Sequence, residues 1–269
     1  MNLATVCETG PVDSRSRAVR TPAGRFARAG VEWALARGRS RLYQSGSQFR
    51  ILRTVSFKPG ADESVDMEVQ NVTADAEVFT CNAYLVSGAE PTLVDAGAMS
   101  GVVDVVREHT DELSRVVLTH QHGDHVGELD AVLSAFDPDL YAYGDHPERT
   151  HTLQDGQELT VGAEAFEVVY TPGHADDHVS LVGEGALFSG DVVVYNDGAF
   201  DDGSFGRTDY PGQSREQLVE SIEHLLDRLP GSVDRLYAGH GDVYRGDVRG
   251  VVERALERAR RREPKYPDE

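Results

Sequence analysis

Seven side chains of metal-ligand type fall at the ends of four separate apolar segments, and a fold for this chain must explain that placement. The densest group is His120, His122, Asp124 and His125, within six residues directly after the run RVVLT at 115–119. His174 follows AFEVVYT (165–171) in the string YTPGHAD, Asp191 closes LFSGD, and His240 follows RLYAG (235–239) in LYAGHGD. Short apolar runs bounded by glycine read as strands, and open α/β folds place their sites at the carboxyl ends of strands. A single histidine is usually an ordinary surface or core residue. Seven ligand-type residues at four strand ends are poorly explained that way. His120 and His122, two apart on a short loop, can face one ion, while Asp124 and His125, at the start of the next helix, turn toward a second. Asp191 can bridge them. Imidazole with carboxylate suits zinc, with iron or manganese also compatible. Two such ions, about 3.5–4 Å apart, share a water whose pKa falls toward neutrality.

Between these ends the chain alternates strand and helix patterns. Val78 to Val86 and Pro91 to Asp95 read as strands joined through SGAE, and Ser100 is a cap for a helix to about His109 that buries Val102, Val103, Val105 and Val106. Val126 to Phe136 reads as a helix, DLYAY (139–143) as a strand and HVSLVGEGALFSGDVVV (178–194) as a hairpin. Ser214 with Gln217 makes a capping box for a helix striped with Leu218, Ile222, Leu225, Leu226 and Leu229. Val248, Val251, Val252, Ala255 and Ala259 mark a final helix. Hairpins mixed with strand–helix units imply sheets covered by helices, an α/β class.

Charge divides the chain. Residues 1–58 hold ten Arg and one Lys against three acids, a net +8, which leaves −28 for the other 211 residues. In that acidic part Lys265 is the single lysine against 43 acids. Such a surface disfavours nucleic acid and anionic lipid, and implies a salt-rich cytoplasm that screens the self-repulsion. No window approaches 18 apolar residues and no secretory apolar region opens the chain, so a soluble cytoplasmic protein is expected. Cys7 and Cys81 are far apart, which argues against a disulfide framework. Residues 1–66 read as a basic extension with little fixed structure, and 67–269 as the functional domain. Met67 directly precedes the first strand-like sequence, so translation starting there is one reading. A transit-type leader and a basic nucleic-acid arm are others.

The ordered set HxHxDH, PGH, GD after an apolar strand, and a late GH resembles the metallo-β-lactamase superfamily from about Met67 onward. The resemblance implies an αββα four-layer sandwich with metals at its rim. By motif, His120, His122 and His174 would hold the first metal, Asp124, His125 and His240 the second, and Asp191 both. Asp95 in TLVDAG matches the family's supporting strand-end Asp, and Asn82 matches a position of structural role. The β-lactamase branches replace the residue at His125 or lack the bridging Asp, and the flavodiiron branch has Glu at the position of His122, so neither fits.

SFGRTDYPGQS (204–214) resembles the GRTD loop of glyoxalase II-like thioesterases and persulfide dioxygenases. The function implied is a dinuclear zinc hydrolase, two Zn2+ per chain, acting on a small thioester or lactone, with Asp124 orienting or relaying a proton. The alternative is a persulfide dioxygenase with one iron on His120, His174 and Asp191. Glyoxalase II carries a helical C-terminal domain that grips glutathione, whereas 29 residues follow His240 here, so glutathione recognition is not expected. Asp176 and Asp177 replace the usual small residues after PGH and place extra negative charge near the metals. Arg207 reads either as a contact for a substrate carboxylate or as a partner of Asp209. His178 reads as a supporting or surface residue rather than a substrate-binding one, and His109, His146, His151 and His224 as ordinary, with the alternative for His146, in HP after a strand, of a place near the mouth of the site.

Overall fold

A computed structural model describes residues 67–263. The expectations for the basic extension and for a start at Met67 concern residues outside this range. Among the described residues two mixed sheets face each other. The first runs, in spatial order, β1 (Val69–Asn71), β2 (Tyr84–Val86), β3 (Thr92–Val94), β4 (Arg115–Val117), β5 (Asp139–Ala142) and β6 (His151–Thr152). Its first three strands are antiparallel and the rest parallel. The second runs β7 (Glu158–Val161), β8 (Glu164–Tyr170), β9 (Val179–Gly183), β10 (Ala186–Gly190), β11 (Arg235–Ala238) and β12 (Tyr244–Arg245), antiparallel except for the parallel pair β10–β11. The helices are α1 (Val102–His109), α2 (Gly123–Val126), α3 (Leu129–Phe136), α4 (Arg215–Arg228) and α5 (Val248–Arg261).

Residue alternation along the strands builds the layers. Tyr84, Val86, Val94 and Val117 of the first sheet meet Phe166, Val168, Leu181, Phe188 and Tyr237 of the second in a central core. Their neighbours Leu85, Leu93 and Val116 point the other way, onto Val102 and Val106 of α1 and Leu129 and Val132 of α3. Val169, Val182, Leu187 and Leu236 do the same beneath Leu218, Ile222 and Leu225 of α4 and Val251, Val252 and Ala255 of α5. The period of two thus serves both faces of each sheet, and the architecture is the αββα sandwich. Burial of each large side chain here contributes about 1.5–3 kcal/mol.

Three elements differ from the sequence reading, the first two because backbone bonds go elsewhere. The segment 78–83 is a loop rather than the start of β2. Cys81 N–H donates to Asp124 O and Asn82 N–H to Gly239 O, the loops around the ligand-type residues, instead of to a neighbouring strand. The helix read over 126–136 breaks between α2 and α3. His125 O accepts from Ala96 N–H and Glu128 N–H donates to Gly97 O, so this turn is tied to the loop after β3. Gly101, not Ser100, caps α1, without a side-chain bond. In α4 the Ser214 hydroxyl does accept from Gln217 N–H, as the capping pattern requires.

Candidate metal centre

The carboxyl ends of β4, β8, β10 and β11 open on one edge of the sandwich, and the structure brings all seven sequence-predicted side chains together there. Parallel pairing of β10 with β11 puts Asp191 and His240 side by side, with Gly239 N–H donating to Gly190 O at 2.8 Å. The first sheet is joined to them where Val179 N–H donates to Thr119 O at 2.8 Å.

His120, His122 and His174 form one group. His174 Nδ1 lies 2.8 Å from the Arg207 carbonyl, which can only accept, so that nitrogen carries the proton and Nε2 is bare. Thr119 Oγ1 donates to Asp95 Oδ2 at 2.7 Å and therefore accepts from His120 Nδ1 at 3.2 Å, which leaves His120 Nε2 bare as well. Both bare nitrogens point at His122 Nδ1, at 3.1 and 2.9 Å. A single ring nitrogen can donate to at most one of them. Burial pushes the pKa of His120 and of His174 down, so neither ring takes up a proton to resolve the contact. Convergent neutral lone pairs of this kind are what a divalent cation requires.

Asp124, His125 and His240 form the second group. His125 Nδ1 donates to Asp95 Oδ2 at 2.9 Å, leaving Nε2 to face Asp191 Oδ1 at 3.4 Å. His125 Nε2 and Asp191 Oδ1 are both buried without a hydrogen-bond partner. Asp191 Oδ2 is 3.3 Å from His174 Nε2 and 3.3 Å from His240 Nε2, so this carboxylate stands between the two groups. His240 Nε2 also lies 3.1 Å from Asp124 Oδ2. Burial works against the Asp191 charge, but His240 and His125 outweigh it and hold the carboxyl well below its ordinary range. Burial likewise opposes charge on His240, yet Asp191 and Asp124 raise it to about 9 in the metal-free protein. A 3.4 Å contact leaves both buried atoms poorly satisfied, and amid nitrogen and oxygen donors this arrangement fits divalent metal binding.

Supporting residues fix this set. Asp95 holds both Thr119 and His125, as its strand-end position implies. Asn82 Nδ2 donates to Ala238 O at 3.0 Å and Gly241 O at 2.9 Å, pinning both sides of His240. His178 is completely buried, and its Nε2 accepts from Asp191 N–H at 2.9 Å while Nδ1 bonds Thr171 Oγ1 at 2.8 Å. It therefore holds the Asp191 backbone, a role its sequence spacing did not specify. Asp177 accepts from the Gln121 amide at 2.9 Å, joining the two histidine-bearing loops. Close approach requires glycine twice. A Cβ at position 239 would lie 2.1 Å from Asp191 Oδ1, and one at 206 would lie 2.1 Å from Asp191 O.

Above these groups opens a cleft of about 460 Å³, lined among others by Phe79, His122, Asp124, Arg207, Tyr210 and His240, a size suited to a small molecule. Arg207 Nε and Nη2 pair with the two oxygens of Asp209 at 2.8 and 2.6 Å, and its guanidinium lies 3.9 Å from the Tyr210 ring centroid. His146 does not line the cleft, and its Nδ1 accepts from Glu148 N–H. No helix among the described residues is long and apolar enough to cross a membrane.

Residues 76–240 match the metallo-beta-lactamase superfamily. The chain is 30% identical over 205 residues to beta-lactamase-like protein 2 homolog of Drosophila melanogaster, covering 68% of this chain and 65% of that protein. It is 33% identical over 152 residues to hydroxyacylglutathione hydrolase of Vibrio cholerae, covering 55% and 56%. It thus spans about 56–65% of the length of these two relatives. Among solved structures, the BLEG-1 B3 metallo-beta-lactamase shares 28% identity with a TM-score of 0.54, over 66% of this chain and 94% of that one. ETHE1 of Myxococcus xanthus, at 24% identity and a TM-score of 0.55 over 67% and 80%, shares the fold.

Proposed function

The chain belongs to the metallo-β-lactamase superfamily, a fold that implies divalent metal binding, and on that premise we propose that it is a two-zinc hydrolase cleaving a small thioester or a related ester or lactone. The observation that carries the reading is the convergence of two donor groups on Asp191, with His125 Nε2 and Asp191 Oδ1 buried, 3.4 Å apart and lacking a well-formed hydrogen bond. His120, His122 and His174 would hold one ion, Asp124, His125 and His240 the other, and Asp191 both. When bound, such a pair lowers the pKa of a shared water and polarises a carbonyl. The similarity to a hydroxyacylglutathione hydrolase supports a thioester as the scissile group.

The protein's own residues supply orientation and proton handling. Asp124 is part exposed to the cleft, and burial raises its pKa less than the His240 hydrogen bond and the His125 charge lower it. It is therefore ionised at neutral pH and able to accept the proton of an attacking water. The Arg207 carbonyl, through His174 Nδ1, ties the cleft wall to its floor, so a displacement of the 204–214 loop would reorient a ligand nitrogen. Buried walls around Asp191 keep bulk water from its carboxylate.

His120→Ala and Asp191→Ala are the test. Both should lose metal and thioester turnover together, by about a thousandfold or more in kcat/KM. Normal thioester hydrolysis by His120→Ala would refute the reading. Oxygen uptake with a persulfide by iron-loaded protein, without thioester turnover, would replace it with an iron dioxygenase on His120, His174 and Asp191.

A further inference from the structure

Among the described residues, the large apolar side chains that are exposed are Val78 (57%), Phe79 (80%), Tyr210 (54%) and Val243 (40%). All four belong to loops at the edge that carries the seven ligand-type residues. Val78 and Phe79 precede β2, Tyr210 lies in the loop after Asp191, and Val243 follows His240 by three residues. Phe79 and Tyr210 line the cleft itself, together with the buried Val194. The Phe79 ring is stacked on His240, with centroids 5.3 Å apart and an interplanar angle of 18°. Tyr210 stands against the Arg207 guanidinium on its side of the cleft.

Scattered exposed apolar residues are ordinary. Two of the four, Phe79 and Tyr210, line one cleft, on a chain whose last 211 residues carry a net −28, and exposed aromatic rings gathered at a cleft mark a binding surface. Continuity with the cleft names the occupant, because whatever covers Phe79 and Tyr210 also reaches His122, Asp124 and His240. Charge narrows it further. The charges of Asp124 and Asp191 would be offset by the ions they hold, but away from those groups Asp197 adds negative charge and the guanidinium of Arg207 is engaged by Asp209, so the outer wall offers more to an uncharged group than to an anion.

We propose that Phe79 and Tyr210 grip an aromatic or alkyl group attached to the reacting carbonyl, so that the substrate is an uncharged, apolar ester or thioester rather than a charged peptide-like thioester. This rests on the hydrolase reading for the reaction, but the grip itself can be measured without turnover. The experiment has two arms on the metal-loaded full chain. In the first, kcat/KM is compared for acetyl, hexanoyl and phenylacetyl thioesters of N-acetylcysteamine and for lactoylglutathione. A rise of about tenfold or more from acetyl to phenylacetyl is expected, with Phe79→Ala and Tyr210→Ala each reducing that rise at unchanged metal content. In the second, methyl ketones from propanone to 2-nonanone are titrated by calorimetry. Affinity should increase about twofold or more per methylene in the wild type and much less in the two variants.

A flat series in both arms, or a preference for lactoylglutathione, would overturn the proposal. So would a dimer that Phe79→Ala dissociates while the ketone series stays unchanged, since the rim would then be a contact between copies. If no thioester is hydrolysed but the ketone series behaves as expected, the hydrolase reading fails and the apolar grip stands.

Discussion

At the floor of the cleft, His120, His125 and His178 are at most 1% exposed, and each has its Nδ1 held by Thr119, Asp95 or Thr171. At its mouth, Phe79 is 80% exposed and touches one ring face, and Arg207 and Tyr210 lean on each other and on Asp209. The floor is closely determined, because His120, His125 and His174 each have their Nδ1 fixed by a second contact and the Asp191 backbone is held by His178. The side chains of the rim are determined by few contacts, and only the Arg207 carbonyl, on His174 Nδ1, and the Phe79 ring, on His240, tie it to the floor. The proposed hydrolysis belongs to the floor and the proposed apolar grip to the rim, a division that mutation can break.

The largest effect should follow intrusion into the floor. Gly239→Ala puts a methyl 2.1 Å from Asp191 Oδ1, and a misplacement on the order of 1 Å at a reacting group costs about a hundredfold. Both metal content and kcat/KM should fall by at least that factor while far-UV circular dichroism is retained. Wild-type turnover in this variant would show that the floor is softer than its contacts imply. Next comes His178→Leu, which leaves the buried Asp191 N–H without its acceptor. Loss of such a supporting contact lowers metal affinity by about ten- to a hundredfold, and an unsatisfied buried donor costs about 1–3 kcal/mol. His178→Gln, which restores an acceptor, should recover part of both in zinc competition and thermal unfolding. Equal effects from Leu and Gln would argue against the tether.

Proton linkage gives a smaller, graded effect. In the metal-free protein the His240 pKa is raised from 6.5 to about 9, burial opposing the shift and Asp191 and Asp124 producing it. A raised pKa means that the protonated ring stabilises the metal-free fold fully below pH 6.5, and that this contribution is lost as pH rises through about 9. Metal must displace the same proton, so affinity at this site should climb by up to about tenfold per pH unit from 7 to 9. Zinc titration of the stripped protein checks this, and a pH-independent affinity would contradict it. The smallest effect belongs to the rim. Arg207→Lys gives up the two-pronged bond to Asp209 and the contact with Tyr210, an exposed pair worth about 1 kcal/mol or less. KM for apolar substrates should move a few-fold with kcat nearly constant, and a large fall in kcat would place Arg207 in the chemistry instead.

The same division explains what was legible in the sequence. The floor was readable because ligand-type side chains sit at strand ends in four ordered strings. The residue patterns reached only an α/β class, and the four-layer sandwich came with the family resemblance that those strings carry, since a strand such as Arg115–Val117 has Val116 and Val117 on opposite faces and shows no alternation. Phe79 was not readable. The run VFTCNAYLV has strand composition, but its backbone bonds go to Asp124 and Gly239, which no periodicity reports. His178 was equally hidden, since its role lies in a bond to a backbone N–H thirteen residues away. Hydrophobic patterning records burial well and hydrogen-bond partners hardly at all, so tertiary bonds decided both cases.

Metal stoichiometry tests the two-group floor most directly. Protein purified anaerobically, stripped and reloaded with zinc should bind two ions per chain, and His240→Ala should keep one on His120, His122 and His174 while losing thioester turnover. One ion per wild-type chain, unaltered in number by His240→Ala, would contradict a two-metal centre built around Asp191.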